Sequence, residues 1–131
     1  MSEPGMNGPR AWTAGTVVAA DRVLRPGTVW IGADGTIADV VGGAARRARD
    51  FGGEALLVPG AVDLHGDAIE KLVLSGELPL PAAVRLVATR PAHAAGLLDR
   101  GELAPGKRAD IVALRPDGSV LAAMLAGRPT L

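Results

Sequence analysis

Short apolar runs separated by turn residues fill the first half of the sequence and limit what it can fold into. Thr16–Ala20 and Thr28–Ile31 are rich in β-branched residues, and Arg25-Pro26-Gly27 lies between them as a turn signal. Asp34-Gly35 sits between two apolar runs, which is a strong short-range signal for a β-hairpin, and Ile37–Val41 supplies the returning strand. This spacing predicts a small antiparallel sheet.

The end of the chain repeats the pattern after a helical stretch. Ala109–Leu114 and Val120–Leu125 are predicted to be partner strands around a Pro-Asp-Gly-Ser turn. Leu80–Ala95 is predicted to be helical, with Pro91 forcing a kink or a division into two short helices, and Gly96 is a suitable end. The expected apolar side of this segment consists of Val84, Leu86, Val87 and Ala88.

Composition excludes several functional classes. The chain has 131 residues, 48% of them hydrophobic, which suits one domain with a real core rather than a disordered chain. Lys+Arg and Asp+Glu are balanced at 14 each and aromatic residues are only 2%, so we expect no nucleic-acid partner. Cysteine is absent, which rules out disulfides and thiolate chemistry. No apolar run approaches the roughly 20 residues that cross a bilayer, and Met1–Arg10 lacks an apolar signal region. We therefore expect no membrane association and a cytoplasmic protein.

Two further motifs carry weaker signals. Arg46, Arg47 and Arg49 could form an anion-binding patch or simply a solvated loop or helical turn. Gly101–Arg108 fits the front of a phosphate-binding loop, G-x-x-x-x-G-K, but Arg108 stands where Ser or Thr should hold magnesium. The motif also follows a helix and enters a strand, which is the reverse of the required order. We reject it as a nucleotide site.

His93 has no acidic neighbour at helical spacing and is interpreted as a surface or interface histidine.

The most informative motif lies between these two halves. His65-Gly66-Asp67 places an imidazole and a carboxylate two residues apart, hence on one face of an extended strand. Both groups are ordinary ligands of zinc and similar divalent metals. Glu70 and Lys71 follow as possible accessory residues. The alternative is structural, because Asp67 as N-cap with Glu70 three residues on would form a capping box.

The residues around this motif resemble the amidohydrolase superfamily. Leu57–Asp67 is similar to the first barrel strand of that family, with H-x-D in place of the usual H-x-H. The H-x-D form followed by Ala68–Lys71 resembles more narrowly the PhnM group of phosphonate-metabolism diphosphatases. Leu80–Ala92 is similar to the family's last helix, with Arg90 replacing an Asn, and Gly96–Val112 is similar to its return strand.

The resemblance implies a small β-sandwich built from both chain ends beside a metal-bearing (β/α)8 barrel, yet most of the barrel is missing. A barrel needs about 200 residues or more, whereas only Leu72–Pro79 separates Lys71 from Leu80. The family's other metal ligands are missing with it, leaving His65 and Asp67 where a catalytic zinc site takes three protein ligands as a rule.

We therefore expect an α+β, β-dominated fold. It comprises a disordered tail (1–10) and one compact domain (11–131), which divides into an N-terminal sandwich half (11–60), a remnant barrel strand and helix (61–98) and a C-terminal sandwich half (99–131). Three functional interpretations stay open: a shortened amidohydrolase without full activity as a single chain, a hydrolase completed across an oligomer or by a partner chain, and a non-catalytic interaction or scaffold module. Self-association is expected, because the remnant strand has lost its neighbours.

Overall fold

The computed structural model describes residues 10–60 and 79–130. Over these ranges the chain forms short strands and one interrupted helical segment. In chain order the elements are β1 (Ala11–Ala14), β2 (Thr16–Val18), β3 (Val23–Leu24), β4 (Gly27–Ile31), β5 (Ile37–Gly42), β6 (Arg49–Asp50), β7 (Leu56–Pro59), α1 (Leu80–Val84), the π-helical turn π1 (Arg85–Thr89), α2 (Arg90–Ala94), β8 (Ile111–Leu114), β9 (Val120–Leu125) and β10 (Arg128–Pro129).

The strands form two mixed sheets. Sheet A has the order β5-β4-β1-β6, and sheet B has the order β10-β9-β8-β7-β2-β3. Sheet B joins the two parts of the chain, because β7 pairs antiparallel with β8, Leu57 opposite Ala113. The β1–β6 and β2–β7 pairs are parallel. The predicted β-dominated fold with a small sandwich drawn from both chain ends is confirmed.

Gly15 passes the chain from one sheet to the other. It separates β1 in sheet A from β2 in sheet B, and its N–H donates to the Gly52 carbonyl at 2.9 Å. A Cβ at this position would lie 1.8 Å from the carbonyl oxygen of Gly53. Only glycine therefore allows the backbone at position 15 to approach the backbone of Gly52 and Gly53 this closely.

The main core lies between the sheets. Val17, Val29, Leu57 and Ile111 are all fully buried there, together with Trp12 at 4% exposure. Apolar burial of this kind is the main favourable term in folding. The outer face of sheet B carries a second, smaller cluster with the helical segment, formed by Val18, Val58, Val84, Ala88 and Leu114.

The helical segment is interrupted, as its sequence predicts. Pro81 lies in the first turn of α1, and the wider turn π1 precedes Pro91 near the start of α2. Pro91 has no N–H to donate to the preceding turn, and its ring crowds the carbonyl four residues back, so the regular ladder is relieved by a π turn. Gly96 follows with a φ of +79°, in keeping with a glycine that ends a helix. Neither helix in the described part of the chain is long and apolar enough to cross a membrane.

One local prediction was wrong, and two short strands were not predicted. Leu86 is 45% exposed, so its place on the apolar side was predicted wrongly: Val84 and Ala88 share a face four residues apart, and a residue two positions on lies off that face. The sequence patterns also missed β1 and β6. In particular Arg49, predicted as part of a loop or helical turn, belongs to β6 and pairs with Trp12.

Candidate functional site

The predicted ligand residues lie outside the described residues. His65, Asp67, Glu70 and Lys71, and the strand and helix predicted around them, all fall within 61–78. The structure describes the two places where this segment joins the fold. Both lie at sheet B: β7 ends at Pro59, and α1 begins at Leu80 against its outer face.

The start of the segment is held by the backbone of β8 and the residue before it. The Gly60 N–H donates to the Asp110 carbonyl at 2.8 Å, and Pro59 pairs with Ile111 in the sheet. A Cβ on Gly60 would lie 3.3 Å from the Cβ of Asp110, so a larger residue would press on the neighbouring strand. The chain consequently leaves sheet B from a fixed position.

The Asp110 carboxylate is used to hold the structure together. Arg108 donates to it from Nε at 2.8 Å and from Nη2 at 2.7 Å, and the backbone N–H of Ala126 donates to Oδ1 at 2.8 Å. Asp110 is only 7% exposed, and such charge-assisted bonds are among the stronger ones in proteins. This arrangement joins the start of β8 to the turn after β9. It also gives Arg108 a structural role in the G-x-x-x-x-G-K segment, in agreement with the rejection of that segment as a nucleotide site.

His93 has an acidic partner that spacing along the helix did not reveal. Its Nε2 lies 3.8 Å from Oε1 of Glu102, and Lys107 Nζ lies 3.5 Å from the same oxygen. Lys107 also donates to the Leu98 carbonyl at 2.6 Å. Because Glu102 is nine residues beyond His93 and reaches it through a loop, only the tertiary fold brings the pair together.

A small cavity lies beside the contact between the helical segment and sheet B. It measures about 20 Å³, and Pro59, Pro81, Arg85 and Glu102 contribute to its wall. A single water needs roughly 10–15 Å³ by this measure. The cavity therefore has room for about one water and not for a sugar-sized substrate.

Within residues 10–60 and 79–130, no group of three or more His, Cys, Asp or Glu side chains is placed to hold a metal ion. The donors that the sequence motif nominates, His65 and Asp67, lie outside these ranges. An imidazole from His65 and a carboxylate from Asp67 are chemically suited to zinc. A catalytic zinc site takes three protein ligands as a rule, and Glu70 is the accessory candidate that the sequence offers beside this pair.

A two-sheet β-sandwich drawn from both parts of the chain, with a helical layer on one face, defines the class of fold. It superimposes on N-acetyl-D-glucosamine-6-phosphate deacetylase from Mycobacterium smegmatis with a TM-score of 0.73 and 14% identity, over 93% of this chain and 100% of that one. A second structure of the deacetylase from that organism, in complex with N-acetyl-D-glucosamine-6-phosphate, is 36% identical over 44% of this chain and 15% of its own, with a TM-score of 0.38. The Pasteurella multocida deacetylase is 23% identical over 79% of this chain and 24% of its own, with a TM-score of 0.46.

Residues 63–126 match the amidohydrolase family. The matched range runs from the predicted ligand segment through α1, α2 and β8 to the turn after β9. A comparison with curated proteins found no match. The match covers 64 of the 131 residues, just under half of the chain. The chain is therefore similar to amidohydrolases over this range, and amidohydrolases are generally metal-dependent.

Proposed function

We propose that this chain is a shortened amidohydrolase-type protein that keeps the β-sandwich and does not complete a hydrolytic metal centre by itself. The observation that carries the proposal is the short connection between β7 and α1. Only residues 61–79 lie between Gly60 and Leu80, and both of these flank sheet B. A (β/α)8 barrel needs about 200 residues or more, so this connection has no room for one.

The chemistry of the remaining donors supports the same proposal. A catalytic zinc ion activates water when three protein ligands hold it and one position stays open. His65 and Asp67 offer two ligands, and Glu70 adds a third only if the strand continues rather than Asp67 capping a helix. A site with two ligands would bind metal weakly and would lower the pKa of bound water poorly.

The proposed substrate class rests on similarities to two groups of enzymes whose substrates share one chemical feature. The similarity to the PhnM group implies hydrolysis of a ribose 5-triphosphate to the 5-phosphate and pyrophosphate, whereas the deacetylases of similar fold act on N-acetyl-D-glucosamine-6-phosphate. Both substrates are phosphorylated sugars. We propose a phosphorylated sugar as the ancestral substrate class of this chain.

A second candidate is a hydrolase whose site is completed across copies of the chain. Two copies related by a two-fold axis would bring together two His65/Asp67 pairs and so supply four ligands. Leu86 and Leu98, at 45% and 62% exposure, are apolar residues that such an interface could cover. A scaffold module without metal is the third candidate.

Metal content separates the first candidate from the second. The protein is saturated with Zn²⁺, dialysed and analysed beside His65→Ala and a control, His93→Ala, which removes the other histidine. We expect less than about 0.1 equivalent of zinc per chain in all three proteins, because a two-ligand site is incomplete. One equivalent per two chains that is lost in His65→Ala and kept in His93→Ala would establish the shared site instead.

Activity and assembly complete the test. Release of acetate from N-acetyl-D-glucosamine-6-phosphate, or of pyrophosphate from a ribose 5-triphosphate, should stay at the level of the His65→Ala variant. Light scattering over a concentration series should show self-association. A monomer at every concentration would contradict the shared site and the expected self-association together.

A further inference from the structure

A groove at the edge of sheet A is lined by arginine and apolar side chains. It lies between β1, the loop before β6 and the end of sheet B, and its volume is about 410 Å³. Small-molecule sites commonly measure roughly 300–1,000 Å³. Arg10, Arg47 and Arg49 form its polar wall, and Trp12, Met124 and Pro129 contribute its apolar wall.

Aromatic rings hold Arg49 in place at this groove. Its guanidinium carbon lies 4.7 Å from the centre of the Phe51 ring and 5.7 Å from the centre of the Trp12 ring. The two rings pack edge to face, with their centres 4.9 Å apart. A cation held over aromatic rings keeps its N–H donors at its edge, where they can bind an oxyanion.

Arg10 is fixed in a different way. Its guanidinium donates to the carbonyl of Gly32 at 3.1 Å and to that of Gly127, two neutral acceptors. Its positive charge is therefore positioned without being cancelled.

Among residues 10–60 and 79–130, no acidic residue lines the groove and no carboxylate pairs with Arg10, Arg47 or Arg49. Asp50, next to Arg49 in the chain, instead accepts the N–H of Gly52 at 2.8 Å. A concave surface with three positive charges and no described counter-charge favours an anion. The apolar wall beside it favours an organic body on that anion.

We propose that this groove binds a small organic phosphate. The guanidinium groups of Arg47 and Arg49 hold the phosphate oxygens, and the organic part packs against Trp12, Met124 and Pro129. Planar guanidinium groups match the geometry of phosphate oxygens and often bind them through paired hydrogen bonds. The site lies on the sandwich, apart from the predicted ligands His65 and Asp67 in the chain, and it does not depend on a metal or on hydrolysis.

Titration calorimetry with phenyl phosphate tests the proposal on the whole chain. The variant Arg47→Gln/Arg49→Gln removes two charges from the groove, and Arg46→Gln removes a neighbouring charge that does not line it. We expect the double variant to weaken binding about tenfold or more, since two charge-assisted contacts are lost, and Arg46→Gln to change it less than about twofold. Inorganic phosphate, which lacks the ring, should bind less tightly than phenyl phosphate.

Fluorescence then locates the ligand. Trp30→Phe leaves Trp12 as the one tryptophan of the chain, and its emission should change with the same saturation as the calorimetric signal. Thermal unfolding checks that each variant is folded. The proposal is overturned if phenyl phosphate does not bind, if Arg46→Gln weakens binding as much as the double variant, or if the emission of Trp12 does not respond to saturation.

Discussion

Sheet B packs against sheet A on one face and against the helical segment on the other. The inner face buries large side chains, including Leu57 and Ile111, between two sheets of the same chain. The outer face is covered through Val84 and Ala88, while Leu86 of the same segment stays 45% exposed. The difference shows that the sandwich has its own core and that the helical layer adds a thinner second contact. Valine truncations test this difference directly, and two further predictions test the polar contacts that surround the two cores.

Val→Ala substitutions at positions that are buried to different degrees are expected to have the largest effect on the free energy of unfolding. Val29→Ala in the inner core should lower the free energy of unfolding by about 2–3 kcal/mol, because two buried methyl equivalents are lost and a cavity remains. Val84→Ala on the outer face should cost about 1 kcal/mol, since that cluster is smaller and its neighbours can relax.

Val120→Ala is the control for this series. Val120 is 40% exposed in β9, and its truncation should change stability by less than about 0.5 kcal/mol. Urea unfolding followed by circular dichroism measures all three variants. If Val84→Ala costs as much as Val29→Ala, the helical layer belongs to the main core and the distinction between the faces is wrong.

Asp110→Asn should have the next largest effect. It removes the charge that Arg108 binds at the junction where both β7 and the predicted ligand segment are anchored. The expected loss is about 2 kcal/mol, because Asp110 is nearly buried although the Arg108 side chain is 27% exposed.

The matched control is the exposed pair of Asp99 and Arg100, at 2.9 Å. Asp99→Asn should leave the free energy of unfolding nearly unchanged, as exposed ion pairs contribute little. Equal losses in Asp99→Asn and Asp110→Asn, measured by urea unfolding, would show that the Asp110 junction contributes no more than a surface pair.

The smallest effect is a dependence of stability on acid pH. The Thr36 hydroxyl donates to Asp34 at 2.7 Å, and the Ser119 hydroxyl donates to Asp117 at 2.7 Å; these bonds hold the pKa of each carboxyl below its ordinary value of 3.8. The unfolded chain therefore binds more protons in this range, so the contribution is present above about pH 4 and is lost as the pH falls through the folded pKa.

Thr36→Val combined with Ser119→Ala should flatten this dependence below about pH 4 without changing its shape near neutrality. The free energy of unfolding at a series of acid pH values provides the measurement. An unchanged slope in the double variant would assign the acid sensitivity to other carboxyl groups.

Local patterns predicted much of the sandwich. The hairpin at Asp34-Gly35, the strands on either side of Pro116–Ser119 and the interruption before Pro91 depend on turn chemistry and on the missing proline N–H, which are properties of neighbouring residues. The short strands β1 and β6 escaped prediction because their stability comes from pairing with distant strands rather than from their own propensities.

The candidate sites likewise include some features that the sequence predicts and others that only the fold reveals. The imidazole–carboxylate motif of His65 and Asp67 and the shortage of further ligands follow from residue types and chain length, so they can be derived from the sequence. The pairing of His93 with Glu102 and the clamp on Asp110 depend on loops that return to the same place. The groove over Trp12 also required the fold, although Arg47 and Arg49 had been recognised in the sequence as candidate anion ligands.

The sequence by itself determined that this chain is rich in short strands and that it has too few residues between Gly60 and Leu80 for a barrel. Both conclusions rest on hydrophobic periodicity, turn residues and length, which act locally or by simple count, whereas the sandwich drawn from both ends was implied by the family resemblance. Only the tertiary structure decided which strands enter which sheet and that Arg49 lies over Trp12 and Phe51. These features depend on packing between residues far apart in the chain, where many pairings satisfy the same local pattern and the buried core selects one.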